Sequence, residues 1–310
     1  MEIGLDFATG LSQGVAWPWP IAVYLFLAGI SGGAVAIAIC MNIIKGSHAD
    51  TPSMKAATIV GFVTIVLGMV CLVLDLTNPL LFWRILVYYN PTSVMSIGVM
   101  VLLFYIPLVF LLMLVTLRDC ACLKFLSPLT NALSKVRVPL DWIVMVLAIA
   151  ICAYTGFLIS ALIRFPLINT AVLPALFVAS GFSAGLAAIK LIAAGCFGAD
   201  RHGSELGALH IAEWPIMAVE ALCIFMIAAA LITGNAAAQE AMKAFTQGVW
   251  STVFWVGAIG IGFCVPLVLN FFGKTLRESA GTFYFSALCA IGGMMCLRLF
   301  ILYAGQLNPM

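Results

Sequence analysis

Apolar residues run for twenty or more positions at a time along this chain, broken by short polar clusters, and the alternation recurs eight times. The runs fall near 18–44, 55–77, 94–117, 140–163, 170–195, 212–233, 249–272 and 281–304. About 20 apolar residues in helical form cross the hydrocarbon core of a bilayer. Spanning strands would instead need short segments alternating at a period of two. The pattern predicts an all-α membrane protein with eight transmembrane helices. Composition agrees: of 310 residues 64% are hydrophobic and only 8% charged, which excludes a soluble domain.

Eight spans put both termini on one side. The loops on the other side then hold Lys45, Lys55, Arg118, Lys124, Lys135, Arg137, Arg201, Lys274 and Arg277, with Lys190 close by. Only Arg84, Arg164, Lys243 and Arg298 remain toward the terminal side. Short basic loops stay cytoplasmic, so both termini are expected in the periplasm and the chain in a bacterial inner membrane. The opening MEIGLDFATG has two acids and no base, unlike the basic start of a cleaved signal peptide. The first span is therefore expected to stay in the mature chain.

LFLAGISGGA (Leu25–Ala34) and LFVASGFSAG (Leu176–Gly185) resemble one another about 150 residues and four spans apart. This reads as a parallel pseudo-repeat of two four-helix bundles, residues 1–166 and 167–310. Chance recurrence of small-residue packing motifs is the alternative.

The inventory of chemical groups is short. A haem between membrane helices commonly needs two facing histidines. His48 and His202 lie in loops and His210 near the start of the sixth span, so no haem is expected. The cysteines are scattered, apart from the C-A-C of Cys120 and Cys122, and read as small buried hydrophobes. No phosphate loop, dinucleotide fingerprint or nucleophile elbow occurs, and nothing points to nucleic acid.

Polar groups inside the spans carry more information, because a charge at mid-bilayer costs about 2.5–3.5 kcal/mol on insertion scales. In HIAEWPIMAVE, Glu213 and Glu220 stand seven apart on one helical face, and Glu220 lies roughly 15 Å beyond His210. Two readings stand: a proton relay, or a structural ion pair with Arg164 or Arg298. Asp75 ends the second span close in depth to the polar start of the third. Arg84, beside Trp83, reads as interfacial. AYTGFLIS puts Tyr154 and Thr155 two to three turns below the terminal surface, where a phenol needs a partner. That partner is either a neighbouring carbonyl or a carbonyl-bearing ligand arriving from the lipid. YYNPTSVMSIG opens the third span, with Asn90 or Thr92 expected as its cap and Pro91 at an early position.

These motifs resemble the NrfD/PsrC family of membrane subunits of complex iron–sulfur respiratory enzymes. The likeness rests on WPWPIAVYLFLAGISGG, the Asp75–Met100 run, AYTGFLISAL, LPALFVASGFSAG and H-x-x-E-x-P with a later glutamate. LRLFILYAGQL (Leu297–Leu307) looks like the nitrite-reduction branch. The resemblance implies a quinone-reactive subunit without haem or Fe–S cluster of its own. Its donor would be menaquinol, and its partner a periplasmic iron–sulfur subunit with four cubane clusters. A molybdopterin catalytic subunit or multihaem cytochromes would complete the complex. The family's quinone site lies near the periplasmic face of the first bundle, with a helix-four tyrosine that corresponds to Tyr154. Polar residues ahead of helix one help in the polysulfide branch; here LSQGVAWPWP offers Gln13, with Trp17 following. The expected site is thus Tyr154, Thr155, Asp75, Asn90, Thr92, Ser93, Gln13 and Trp17. His210, Glu213, Glu220, Arg164 and Arg298 are the expected proton path. A cofactor-free anchor and a secondary transporter are the alternatives. Pro107, Pro215 and Pro266 do not occupy matching places in the two halves, which speaks against the transporter. Nitrite, polysulfide, thiosulfate and tetrathionate all stay open as terminal acceptor.

Overall fold

The computed structural model describes residues 17, 19–46, 48–76, 79–81, 83–87, 89–119, 127–201, 203–271 and 279–307. Among them, eight helices are long and apolar enough to cross a membrane. They are α1 (Trp19–Ile44), α2 (Pro52–Leu74), α3 (Val94–Thr116), α4 (Arg137–Ser160), α5 (Leu173–Cys196), α6 (Ser204–Thr233), α7 (Gly248–Leu269) and α8 (Ala280–Ala304). The expected number and order of spans hold, but several bounds move. Helix α6 begins at Ser204 rather than near 212, α2 at Pro52 and α4 at Arg137. Their first turns are polar, so hydropathy overlooks them. Thr51, for example, accepts a hydrogen bond from the Met54 N–H just ahead of Pro52, a cap followed by the proline that favours a first turn. Conversely α2 stops at Leu74 and α4 at Ser160, leaving Asp75 and Arg164 outside the helices.

The two described chain ends meet. The Trp17 N–H donates to Gln306 Oε1 at 3.1 Å, which puts both on one face, here termed the terminal face.

Helix α1 is apolar all round and buried on every side, as a helix without a polar face must be. It is the axis of the protein, packed on α2, α4 and α5. Its closest crossing is with α5. A Cβ at Gly33 would strike the Gly181 carbonyl, and one at Gly185 the backbone of Ala34. Glycine here lets two backbones touch, which is how membrane helices gain packing energy where lipid offers no hydrophobic drive. Helices α6 and α7 lie outside this core and turn most of their surface outward. Over Val253–Cys264 α7 winds as a π-helix, and Gly262 meets Gly293 of α8 backbone to backbone.

Hydroxyl pairs join the first helices. Ser31 Oγ donates to the Gly61 carbonyl at 2.6 Å and lies 3.0 Å from the Tyr105 hydroxyl. Thr58 and Thr116 pair at 3.0 Å. On the face opposite the termini, Arg137 donates to Asp141 (2.8 Å) and Asp50 (2.9 Å), while His48 Nδ1 lies 2.7 Å from Asp141. Arg118 reaches Asp50 at 3.4 Å. Arg118 and Arg137 are therefore more than topology-setting charges: they lock the α1–α2 loop to the ends of α3 and α4.

Candidate functional site

Three residues from three helices share a layer beneath the terminal face. At 1.5 Å per residue, Tyr154 lies about 9 Å inside the end of α4, Tyr24 about 7.5 Å inside α1 and Gly98 about 6 Å inside α3. The Tyr154 ring lies flat on Gly98: a Cβ there would fall within the ring. Tyr24 packs beside Gly68 of α2 and is fully buried, yet its hydroxyl has no hydrogen-bond partner among the described residues. The Tyr154 phenol is its electrostatic neighbour. Of the two readings of Tyr154, a bond to a neighbouring backbone carbonyl is not found among the described residues. A buried hydroxyl without a partner is rare, because it forgoes its hydration. Tyr24 and Tyr154 thus set two phenols in one layer, the Tyr24 hydroxyl without a partner among the described residues.

The helix mouth around them differs in detail from expectation. Neither Asn90 nor Thr92 caps α3. Asn90 Oδ1 accepts from the Thr92 N–H (3.1 Å) and hydroxyl (2.8 Å), closing an exposed turn of its own. Ser93 takes the N-cap place in extended conformation, but its side chain makes no capping bond. Among the described residues the first-turn N–H groups of α3 thus have no capping side chain, and they keep their partial positive charge. Asp75 caps the end of α2, half-buried, and burial pushes its carboxyl above the ordinary range.

Two expected ligands of the site stand differently. Thr155 is buried and donates to the Cys152 carbonyl at 2.7 Å, so its hydroxyl proton is committed within its own helix. Trp17 is held at the α1–α8 seam by Gln306. Gln13 lies outside the described residues.

A second polar set runs along α6. Glu213 receives Lys190 Nζ of α5 at 2.6 Å and has His210 Nδ1 at 3.1 Å. Its partner is therefore Lys190, and neither Arg164 nor Arg298. Arg164 is exposed in the segment after α4, apart from this set. Arg298 is fully buried: Nη2 donates to the Phe177 carbonyl at 3.0 Å and the guanidinium sits 3.5 Å from that ring's centroid. Its Nε and Nη1 have no hydrogen-bond partner among the described residues, while the Glu220 carboxylate lies within its electrostatic reach. Glu220 also lines a cavity of about 10 Å³ with Ser183 and Phe263, about the room one water needs. Carboxylate, guanidinium and room for a water make an arrangement able to hold and pass a proton.

Sequence reasoning missed Tyr24 and Lys190. Tyr24 drew no reading near the start of the first span, although its depth matches that of Tyr154. Lys190 reads as a surface charge, although it stands 23 residues before Glu213, across one turn from it.

Eight helices long and apolar enough to cross a membrane define the class, a polytopic helical membrane protein. Comparison with known proteins makes this more particular. Residues 8–309 match the family model described as "Polysulphide reductase, NrfD". The C subunit of the polysulfide reductase of Wolinella succinogenes is 40% identical over 300 residues, covering 94% of this protein and 95% of that one. An NrfD homolog of Haemophilus influenzae is 37% identical (95% of each protein), and protein NrfD of Escherichia coli 34% (96% of each). The chain belongs to the NrfD family. Its similarity to the polysulfide reductase subunit is no weaker than to the two NrfD proteins, so the C-terminal likeness to the nitrite branch does not single out that branch.

Proposed function

We propose that the chain is the quinol-oxidising membrane subunit of a multi-subunit respiratory reductase. It would take electrons from menaquinol and pass them to an iron–sulfur subunit docked on the terminal face, the periplasmic side of the bacterial inner membrane. The observation that carries this reading is the fully buried Tyr24 hydroxyl, without a partner among the described residues, beside the Tyr154 phenol in the same layer. Family membership supports it, because a named relative is a subunit of a polysulfide reductase.

A bound quinol supplies two electrons and two protons, and the residues of this chain receive and orient it. Tyr154, braced on Gly98, directs its hydroxyl at one ring oxygen. Tyr24 offers a second donor from α1. The uncapped N–H groups of α3 favour the negative charge that develops on an oxygen losing its proton. Asp75, whose carboxyl burial raises above its ordinary value, accepts the two protons one after the other and releases each to the terminal face. Electrons leave through the terminal face, beneath which the site lies, to the first of four cubane clusters in the partner. A molybdopterin or multihaem subunit performs the terminal reduction. The set on α6, His210, Glu213 and Glu220 with Arg298, provides a separate path for protons.

The test uses the assembled complex with a soluble menaquinol analogue. Tyr154→Phe removes one hydroxyl and is expected to lower quinol oxidation at least tenfold with assembly intact. Unchanged oxidation would reduce this chain to a membrane anchor. For the proton path, Glu220→Gln in liposomes is expected to lower proton movement per electron; an unchanged ratio would remove the path.

A further inference from the structure

The second half of the molecule has its own cavity under the terminal face, of about 300 Å³. It lies between the segment entering α5 and the last two turns of α6. Asn169 and Thr170 of the entering segment and Asn235 beyond α6 supply the polar lining, and Ile227, Ala230 and Leu231 the apolar part. No ionisable side chain lines it.

Each polar group keeps a hydrogen-bonding capacity. Asn169 Nδ2 donates to the Ser160 carbonyl at 2.7 Å, leaving Oδ1. Asn235 Oδ1 accepts from the Ala238 N–H at 2.9 Å, leaving Nδ2. Thr170 Oγ1 accepts from the Val172 N–H, leaving its proton. An acceptor and two donors, all uncharged, thus stand at the outer end. Ile227 lies about 9 Å inside the end of α6, level with Tyr154. Ile227 and Leu231 are buried, whereas Ala230 is exposed at the mouth. Leu222 and Met226 continue from Ala230 along the same outward stripe of α6, both exposed. The volume falls at the lower end of ligand pockets, roughly 300–1,000 Å³.

We propose that this cavity is a second amphiphile site. It takes an uncharged, hydrogen-bonding head between Asn169, Thr170 and Asn235, with a hydrocarbon tail lying along Ala230, Met226 and Leu222. With no phenol or carboxylate to exchange a proton, it holds its ligand without oxidising it. Quinol and a glycerolipid ester share this chemistry. The quinol case rests on the proposed function, and as a holding site it would feed the layer of Tyr154.

The experiment uses the full complex in native membranes and two photoreactive probes: a naphthoquinone and a phosphatidylethanolamine, each with its label on the tail. Adducts are mapped by peptide mass spectrometry. Labelling of α6 around Ala230 is expected, and Ala230→Phe, which fills the mouth from an exposed position, should lower it at least tenfold. Labelling near Tyr154 and turnover at saturating quinol should stay unchanged. Naphthoquinone labelling identifies the holding site, while labelling by phosphatidylethanolamine alone keeps the site and assigns it to lipid. No labelling of α6 by either probe, or labelling unaffected by Ala230→Phe, overturns the proposal. Loss of labelling at Tyr154 would instead count against the quinol reading, whatever happens at α6.

Discussion

Gly98 offers the sharpest probe of the Tyr154 site, because it changes the position of the phenol without removing it. Any Cβ at Gly98 would fall inside the Tyr154 ring, so Gly98→Ala must push the ring, the α3 backbone, or both. Overpacking by one methyl group in a close-packed core costs typically about 1–3 kcal/mol. A catalytic group displaced by about 1 Å loses on the order of 10²-fold in rate, or about 2.7 kcal/mol of barrier. Gly98→Ala is therefore expected to lower quinol oxidation by about two orders of magnitude, measured per assembled complex with a menaquinol analogue. The double variant Gly98→Ala/Tyr154→Leu separates packing from chemistry. Removing the ring relieves the clash, so thermal stability should recover while oxidation stays low. Such opposite signs are what coupling between touching residues produces. Turnover within twofold of the parent for Gly98→Ala would refute the placement of Tyr154 in the reacting layer.

Further outcomes follow from other contacts. Lys190→Met leaves Glu213 buried without its cation and should destabilise by about 3–5 kcal/mol; adding Glu213→Leu should restore most of the lost melting temperature. Asp75 accepts a proton only when ionised, and burial raises its pKa. Quinol oxidation should thus decline as pH falls, starting above the ordinary carboxylate range, and Asp75→Asn should abolish that acid limb in a pH profile. Ser31→Ala and Tyr105→Phe break one interhelical hydroxyl pair. Each should cost about 1 kcal/mol in thermal unfolding, and the double variant less than their sum.

Much of the fold was legible because a bilayer imposes one length scale. Apolar runs of that length mark the spans, and what escapes the pattern is their ends, above all polar first turns, which is why α6 starts eight residues early. The α6 carboxylates were legible for a related reason: charges within an apolar run are conspicuous, and a spacing of seven puts them on one face. Their partners were not. Lys190 pairs with Glu213 across two helices, and sequence distance says nothing about which faces meet. Tyr24 is the plainest case. A tyrosine near the end of a span has a ready place in the interfacial belt, and only packing reveals that this one is sealed from solvent. Thr155 shows the reverse: next to Tyr154 in sequence, it is rotated about 100° around the helix and bonded to its own backbone.

Arg298 joins the two polar sets. If quinol oxidation, proton release and electron uptake all occur at the terminal face, no net charge crosses the membrane by that chemistry. Under the proposed function, energy conservation would then need a proton path from the opposite face, and coupling to the site would let that path respond to it. Arg298 sits where such sensing is physically available. Its Nη2 lies by Gly29 of α1, one turn beyond Tyr24, and Cys152 of α4, two residues from Tyr154, is within its field. On the other side it faces Glu220. A fully buried cation whose Nε and Nη1 have no partner among the described residues is held mainly by Phe177 and by charge, and a proton gained or lost at Glu220 alters that balance directly. The field of one guanidinium at low dielectric reaches both sets. Electrostatic coupling between site and path therefore needs no large movement of the helices that α1 and α5 clamp together.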